Sequence, residues 1–240
     1  RGGVFDADDL DAAIKPASLP VFAPTTLVTV ENTHNRTGGV VFDQREVVRL
    51  CERARARGLA TYLDGARLWN AAVASGRPEA ELAAPFDLVG VAFSKGLGAP
   101  GGSLLAGRRE LIDAATRHRR RFGGAMRQTG HYAAAALHGV AHHRERLAED
   151  HAHARRLAEA LAGCPAVRLD LATVQTNIVV FHLAPEGPDA ATLVARSRDA
   201  GVLLNAFGAR TVRAVTHLDV TREQVDRAAA TLLRLLAPAG

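Results

Sequence analysis

Residues 87–98 read Asp-Leu-Val-Gly-Val-Ala-Phe-Ser-Lys-Gly-Leu-Gly, a short and almost wholly apolar run followed by a lysine set among glycines. A continuous apolar run of this length is typical of a strand in a parallel sheet that is covered on both faces. The run ends at Phe93, so Lys95 comes directly after the predicted strand. Open α/β sheets bind ligands at the carboxyl ends of their strands, so this stretch places an amine at a candidate site.

The neighbouring segments continue an alternation of strand and helix patterns. Residues 26–31 and 59–63 have the composition of strands, and residues 43–57 have apolar positions at helical spacing between them. Residues 101–106 follow after a short turn and predict a further strand of the same sheet. This order predicts an α/β domain with a mostly parallel sheet.

The pattern changes in the second half of the chain. Residues 129–163 predict one long helix, and after it strands and helices no longer alternate regularly. We predict two domains, a large one over residues 1–148 and a small α+β domain over residues 149–240. The second is predicted from strands near 177–183, 201–206 and 211–216, a helix over 189–200, and a last helix that begins at Thr221 with Gln224 in a capping box.

Composition excludes several classes of protein. The chain has 240 residues, 48% of them apolar, yet no apolar run is long enough for a membrane helix. The net charge of +5 comes from dispersed residues and only 5% of residues are aromatic, which argues against a nucleic-acid partner. The two cysteines, Cys51 and Cys164, are interpreted as free thiols in a reducing cytoplasm.

The type of basic residue is informative. Of 30 basic residues only Lys15 and Lys95 are lysines, and a lysine amine can form an imine whereas a guanidinium cannot. Asp64 follows the second predicted strand, so its carboxylate should lie at the same sheet edge as Lys95. Pyridoxal phosphate needs such an amine and such an acid, and Ala66 would leave a flat surface for its ring. The alternative is an Asp–Lys ion pair, or two unrelated loop residues.

Five segments occur in the order of the signatures of one enzyme family: Glu31-Asn-Thr-His-Asn35, Asp64-Gly-Ala-Arg67, Ser94-Lys-Gly-Leu-Gly98, Gly123-Gly-Ala-Met-Arg-Gln-Thr-Gly130 and Val215-Thr-His-Leu-Asp219. With them the sequence resembles the low-specificity L-threonine aldolase family. The resemblance implies the fold-type-I architecture of pyridoxal-phosphate enzymes, which is similar to aspartate aminotransferase. It also implies a homodimer or homotetramer, and we expect the chain to lack the family's N-terminal third.

The resemblance also assigns residues to the cofactor. Lys95 would hold pyridoxal 5'-phosphate covalently, and Asp64 would pair with the protonated pyridine nitrogen. Arg67 would lie beside the phenolic oxygen of the cofactor and the substrate carboxylate. Ala66 and Ser94 would complete the cofactor contacts of this part of the chain.

Further residues are assigned in the same way. Arg213 would bind the substrate carboxylate, and Arg127 would approach the cofactor, either within one subunit or from a neighbouring subunit. Asn35 would contact the substrate, while two roles stay open for His34, proton transfer or a hydrogen bond in the pocket wall. No metal ligand set is expected, and a solvated helix face is the interpretation of His142, His143, His151 and His153.

The implied reaction is cleavage of L-threonine, L-allo-threonine or related β-hydroxy-α-amino acids to glycine and an aldehyde. Val21 stands where relatives often have a histidine near the substrate hydroxyl, and the family's phosphate-binding turn and ring-stacking histidine belong to the expected missing third. Two alternatives therefore stay open: a β-eliminating lyase or dehydratase that acts on hydroxy amino acids, and a catalytically impaired fragment. A nicotinamide-binding protein is disfavoured, because the glycines after Lys95 do not give the Gly-x-Gly-x-x-Gly spacing.

Overall fold

The computed structural model of this chain describes residues 3–15 and 23–237. Val21, where relatives often have a histidine, lies outside the described residues. Its described residues divide into two compact units, one with residues 3–15, 23–33 and 42–144 and the other with residues 34–41 and 145–237. Segment 34–41 thus groups with the C-terminal residues, which no pattern in the sequence predicts. The domain boundary between residues 148 and 149 stays a prediction.

The first unit is built around a four-stranded sheet of order β1-β2-β3-β4, in which β1, β2 and β3 are parallel and β4 is antiparallel. Its strands are β1 (Leu27–Glu31), β2 (Ala60–Gly65), β3 (Leu88–Ala92) and β4 (Ser103–Gly107). Its helices are α1 (Ala7–Ala13), α2 (Gln44–Ala56), α3 (Leu68–Ser75), α4 (Glu79–Ala83), α5 (Arg109–Arg121) and α6 (Gly130–His142).

Burial alternates along the parallel strands. Val30, Leu63 and Val89 are buried, while their neighbours on the opposite face are half-buried or exposed. Successive side chains of a strand point to opposite faces, so within the described residues one face of this sheet is well covered and the other is not. The sequence predicted a strand covered on both faces, and in this part of the chain that prediction is wrong.

The region from β4 to α6 is the most exposed part of the first unit. Every residue of β4 is exposed, and none of residues 109–121 of α5 is buried. Large apolar side chains lie at the surface here, with exposed fractions of 48% for Leu104, 87% for Phe122 and 72% for Leu137. Clustered apolar surface of this kind is typical of an interface with other polypeptide.

The second unit has a four-stranded antiparallel sheet of order β5-β6-β8-β7 and a closed core. Phe181 and Leu232 are fully buried in that core, and α9 begins at the predicted Thr221–Gln224 capping box. The elements are β5 (Val167–Arg168), β6 (Ile178–Leu183), β7 (Asn205–Ala206), β8 (Thr211–Val215), α7 (Leu147–Ala162), α8 (Ala190–Asp199), α9 (Arg222–Leu236) and two 3-10 helices, Asn35–Thr37 and Leu171–Thr173.

The predicted single helix over residues 129–163 is wrong, because the chain forms α6 and α7 with a break at residues 143–146. Residues at the break bond to other parts of the first unit. The Nδ1 of His143 donates to the carbonyl oxygen of Leu97 at 2.8 Å, and the Nε of Arg144 donates to a carboxylate oxygen of Glu79 at 2.6 Å. These long-range hydrogen bonds satisfy polar groups where the helix ends. The helical periodicity of the sequence does not predict them, because it reflects only nearby residues.

Candidate active site

Lys95 lies in a tight turn directly after β3. The N–H of Gly98 donates to the carbonyl oxygen of Lys95 at 2.8 Å, and the N–H of Ala99 donates to the carbonyl oxygen of Phe93 at 3.1 Å. Gly98 has φ +71°, a backbone conformation that favours glycine, so a glycine at this position allows the turn to close. The Lys95 side chain is half-buried.

Helix α6 packs closely on this turn. A β-carbon at Gly139 would lie only 2.6 Å from the carbonyl oxygen of Leu97, so the helix backbone approaches the turn where no side chain fits. The same carbonyl accepts the hydrogen bond of His143. The turn is therefore held by its own backbone bonds and by the end of a helix, which fixes the base of the Lys95 side chain.

Asp64 occupies the position next to this turn at the end of β2. In the sheet register it is paired with Glu31 of β1 on one side and with Gly90 of β3 on the other. Paired residues of neighbouring strands point to the same face, so Glu31 and Asp64 share one sheet face. One carboxylate oxygen of Asp64 accepts the N–H of Ala66 at 3.2 Å, which orients the carboxylate.

Arg67 stands at the N-terminus of α3, three residues after Asp64. Its side chain is only 14% exposed, and its Nη1 lies 4.0 Å from a carboxylate oxygen of Glu31. Glu31 is the first residue of the Glu31–Asn35 signature, yet the sequence assigned it no role. The register with Asp64 places its carboxylate beside a predicted cofactor residue.

The charges of these side chains act on the Lys95 amine. Burial lowers the pKa of Lys95 most, and the guanidinium of Arg67 lowers it further, while Asp64 and Glu31 act in the opposite direction. The net pKa of Lys95 is below its ordinary value, so a larger fraction of the amine is neutral at a given pH. The neutral amine is the nucleophilic form.

The other predicted cofactor residues are less closely tied to Lys95. Ala66 is half-buried beside Asp64, and Ser94 is exposed on the turn. Arg127 lies in the exposed segment between α5 and α6, and it is not among the charged groups that shift the pKa of Lys95. The roles of Ala66, Ser94 and Arg127 stay predictions.

Arg213 lies on β8 in the second unit, where polar groups and an aromatic ring surround its guanidinium. Its Nη1 donates to Asn35 Oδ1 at 2.7 Å, its Nη2 lies 3.5 Å from Asn205 Oδ1, and its Cζ lies 4.3 Å from the ring centre of Phe207. Burial lowers the pKa of Arg213 from its ordinary value. The structure thus brings together Arg213 and Asn35, both predicted to bind substrate, and adds Phe207, which the sequence did not single out.

His34 belongs to the same segment as Asn35. Its Nδ1 lies 2.9 Å from Thr37 Oγ1, and its backbone N–H donates to the carbonyl oxygen of Val40 at 3.0 Å. The imidazole is half-buried and held at one nitrogen. The role of His34 stays a prediction.

The four histidines do not share one solvated face: His142 is exposed, His143 and His151 are half-buried, and for the buried His153 that interpretation is wrong. His153 is 5% exposed, and burial lowers the pKa of His151 to about 4. Among residues 3–15 and 23–237, no group of three or more His, Cys, Asp or Glu side chains is placed to hold a metal ion. In the same residues no helix combines the length and apolar character that crossing a membrane requires.

The donor set around Lys95 fits pyridoxal 5'-phosphate. Lys95 would supply an amine of lowered pKa for the covalent bond, and Asp64 would supply a carboxylate for the pyridine nitrogen. Ala66 presents only a methyl group beside them, which suits the face of a planar ring. These residues would hold the cofactor in the first unit.

Comparison with known sequences agrees with this chemistry. A family model described as Beta-eliminating lyase matches residues 1–184. The chain is 40% identical over 237 residues to the low specificity L-threonine aldolase of Escherichia coli (strain K12). The matched region covers 98% of this chain and 67% of the relative. It is 34% identical over 225 residues to low-specificity L-threonine aldolase 1 of Arabidopsis thaliana, covering 93% and 63%. The chain spans about two thirds of the length of these relatives.

Solved structures show the same fold. The threonine aldolase of Leishmania major superimposes with a TM-score of 0.75 at 19% identity, covering 97% of this chain and 68% of that one. A PLP-dependent aminotransferase from Streptococcus suis 89-1591 gives a TM-score of 0.73 at 17% identity, covering 98% and 62%. These neighbours confirm the predicted fold-type-I α/β architecture.

Proposed function

The chain belongs to the β-eliminating lyase family and matches its low-specificity L-threonine aldolases, and from this premise we propose that it cleaves β-hydroxy-α-amino acids to glycine and an aldehyde. L-Threonine and L-allo-threonine are the proposed substrates, with pyridoxal 5'-phosphate as cofactor. The observation that carries the proposal is the half-buried Lys95 amine, on which Asp64 and Arg67 both act at the carboxyl ends of neighbouring strands.

Lys95 binds the cofactor in this proposal. Its lowered pKa makes the neutral amine available at lower pH than for an ordinary lysine, and the rigid turn below it limits where the amine can reach. Bound pyridoxal phosphate supplies an electron-accepting ring that stabilises the charge left when a bond to the α-carbon breaks. After that bond breaks, the Lys95 amine is a group of the chain that can carry a proton near the α-carbon.

Asp64 keeps the pyridine nitrogen protonated. A carboxylate beside that nitrogen favours its charged form, and the Ala66 N–H bond fixes the carboxylate in place. Because the charge grows during bond cleavage, this ion pair contributes most at that stage of the reaction. Arg67 supplies a fixed positive charge next to the same group of residues.

Arg213 is proposed to bind the substrate carboxylate, because a guanidinium offers two parallel N–H groups to a carboxylate. Asn35 accepts from its Nη1 and so holds the guanidinium rather than the substrate in this structure. We therefore propose that Asn35 acts on the substrate through Arg213. His34 keeps its two proposed roles, as proton-transfer residue or pocket-wall hydrogen-bonding partner.

We also propose that the protein acts as a homodimer or homotetramer in the cytoplasm. Exposed apolar side chains from β4 to α6, including Phe122 and Leu137, support an assembly that covers them. Two free cysteines, one of them buried, are consistent with a reducing compartment. Light scattering on the full-length protein measures the subunit count directly.

The experiment that tests the function uses the two lysines as a matched pair. Full-length protein with Lys95→Ala should lose the visible-edge absorbance of lysine-bound cofactor and lose activity by at least about 1000-fold. Lys15→Ala should keep both, because Lys15 is exposed. Products from L-threonine and L-allo-threonine are identified by chromatography, with glycine and acetaldehyde expected.

Two results would contradict the proposal. Absence of the absorbance in the wild-type full-length protein excludes a lysine-bound cofactor. Formation of 2-oxobutyrate instead of glycine and acetaldehyde identifies a dehydratase that uses the same lysine and aspartate. Both results are read on the wild-type protein, so neither depends on whether a variant folds.

A further inference from the structure

Phe207 lies beneath two guanidinium groups in the second unit. The Cζ of Arg213 is 4.3 Å from its ring centre, and the Cζ of Arg36 is 5.3 Å from the same point. The Nη1 of Arg36 also donates to the carbonyl oxygen of Phe207 at 3.3 Å. One half-buried aromatic residue therefore contacts two cations, in a chain where aromatic residues make up only 5%.

The ring of Phe207 is a source of attraction for both guanidinium groups. The face of an aromatic ring carries partial negative charge and attracts cations within about 6 Å of its centre. Both distances to Phe207 lie within that range. The ring therefore favours a position of the Arg213 guanidinium over its face.

The polar contacts of Arg213 leave its orientation incompletely fixed. The bond from Nη1 to Asn35 Oδ1 is short, at 2.7 Å, whereas Nη2 lies 3.5 Å from Asn205 Oδ1, at the limit of a hydrogen bond. The Nε of Arg213 is buried and has no hydrogen-bond partner within residues 3–15 and 23–237. One short bond fixes a point of the guanidinium and permits rotation about it, whereas stacking on a ring fixes its plane.

We propose that Phe207 is a positioning residue for substrate binding, whose ring holds the plane of the Arg213 guanidinium in the orientation that receives the substrate carboxylate. This inference rests on the proposed function, because that function gives Arg213 its ligand. Arg36 supports the arrangement by its hydrogen bond to the Phe207 carbonyl and by its own contact with the ring. A guanidinium fixed before binding loses less conformational freedom when the carboxylate arrives.

Glycine, the proposed product, is the probe, and the cofactor absorbance of the full-length protein reports its binding. Phe207→Leu keeps an apolar side chain of similar size and removes the ring face. Its dissociation constant for glycine should rise roughly three- to thirty-fold, the range of a partly desolvated cation–ring contact. Phe207→Tyr keeps the ring face, so its glycine affinity should stay within about twofold of the wild type.

A second ligand separates positioning of Arg213 from a general structural role. Glycinamide has the same amine as glycine and no carboxylate, so its affinity should be the same in wild type and Phe207→Leu. In an Arg213→Lys background the Leu substitution should add little, because the group that Phe207 positions is gone. The KM for the amino acid should rise in Phe207→Leu, with kcat and cofactor affinity unchanged.

Equal glycine affinity in Phe207→Leu and wild type overturns the inference. It is also overturned if Phe207→Tyr binds glycine as weakly as Phe207→Leu, or if glycine and glycinamide lose affinity alike. Glycine binding requires no bond cleavage. Intact glycine binding without aldehyde formation would therefore contradict the proposed function alone and leave the positioning role of Phe207 in place.

Discussion

Lys95 in the first unit and Arg213 in the second are both basic side chains withdrawn from water, yet their surroundings differ. Lys95 is held at its backbone, by a turn closed by glycine and packed against α6, while charges of both signs act on its amine. Arg213 is held at its guanidinium, by Asn35 and by the ring of Phe207. One environment sets a pKa and the other sets an orientation.

This difference matches the two tasks that the residues are proposed to perform. An amine that forms and exchanges a covalent bond needs a supply of its neutral form, which depends on burial and neighbouring charge. A guanidinium that grips a carboxylate stays charged at every relevant pH, so its usefulness depends on where its two N–H groups point. Half-burial therefore lowers the pKa of Lys95, whereas at Arg213 it accompanies contacts that orient the guanidinium.

Two carboxylates, Asp87 in the first unit and Asp150 in the second, also differ in their surroundings. In the first, Asp87 accepts the Thr61 N–H at 2.8 Å and the Thr61 hydroxyl at 3.0 Å, and these bonds lower the pKa of Asp87. In the second, Asp150 is fully buried with Arg146 Nη1 3.1 Å away, and burial raises the pKa of Asp150. Among the residues that the structure describes, none donates a well-aligned hydrogen bond to either carboxylate oxygen of Asp150. The charge of Arg146 therefore offsets part of the cost of burying the Asp150 carboxylate.

The largest expected effect concerns how much the ion pair between Arg146 and Asp150 contributes to stability. Arg146→Met should lower the free energy of unfolding by about 3–5 kcal/mol near neutral pH, because it leaves a buried carboxylate without its partner. The folded-state pKa of Asp150 is above its unfolded value, so this cost is largest above the folded pKa and shrinks as the pH falls through it. Urea unfolding at several pH values measures the change.

The control for Arg146 comes from the first unit. Arg49 pairs with Glu46 on α2 with its side chain 68% exposed, so Arg49→Met should cost less than about 1 kcal/mol. Equal losses of unfolding free energy in the two variants would show that burial of Asp150 does not make its ion pair more important than an exposed one.

A smaller effect is expected on substrate binding. Arg213→Lys keeps the positive charge but loses the planar fork and the stacking on Phe207, so KM for L-threonine should rise roughly 10- to 100-fold. Steady-state kinetics on the full-length protein measure it, with Arg222→Lys as the control because Arg222 is exposed on α9. An unchanged KM in Arg213→Lys would show that orientation at this position is unimportant.

The smallest effect concerns the pH dependence of cofactor capture. Arg67 lowers the pKa of Lys95, so Arg67→Gln should raise that pKa and move capture of pyridoxal phosphate by the apoprotein to higher pH. Glu31 acts oppositely, so Glu31→Gln should lower the pKa and move capture to lower pH. Capture is followed by absorbance in a pH series. Shifts of the same sign in both variants would refute the assignment of these charges.

The sequence predicted much of the fold because its signals are local. Short apolar runs mark β2 and β3, and the Thr221–Gln224 capping box marks the start of α9, since each depends on a few consecutive residues. The break between α6 and α7 was missed, because the bonds of His143 and Arg144 that accompany it run to distant residues. Burial of His151 and His153 was missed for the same reason, since helical spacing does not show what packs against a helix.

By itself, the sequence determined that Lys95 follows an apolar strand, that Asp64 lies near the end of the neighbouring strand, and that the ordered motifs belong to one family of lyases. Strand polarity and residue chemistry suffice for those conclusions, because both are encoded in short segments. Only the tertiary structure decided that Glu31 lies in register with Asp64 and that the Arg213 guanidinium lies over the ring of Phe207. Those contacts depend on sheet register and on side-chain packing between residues far apart in the chain, which no local pattern specifies.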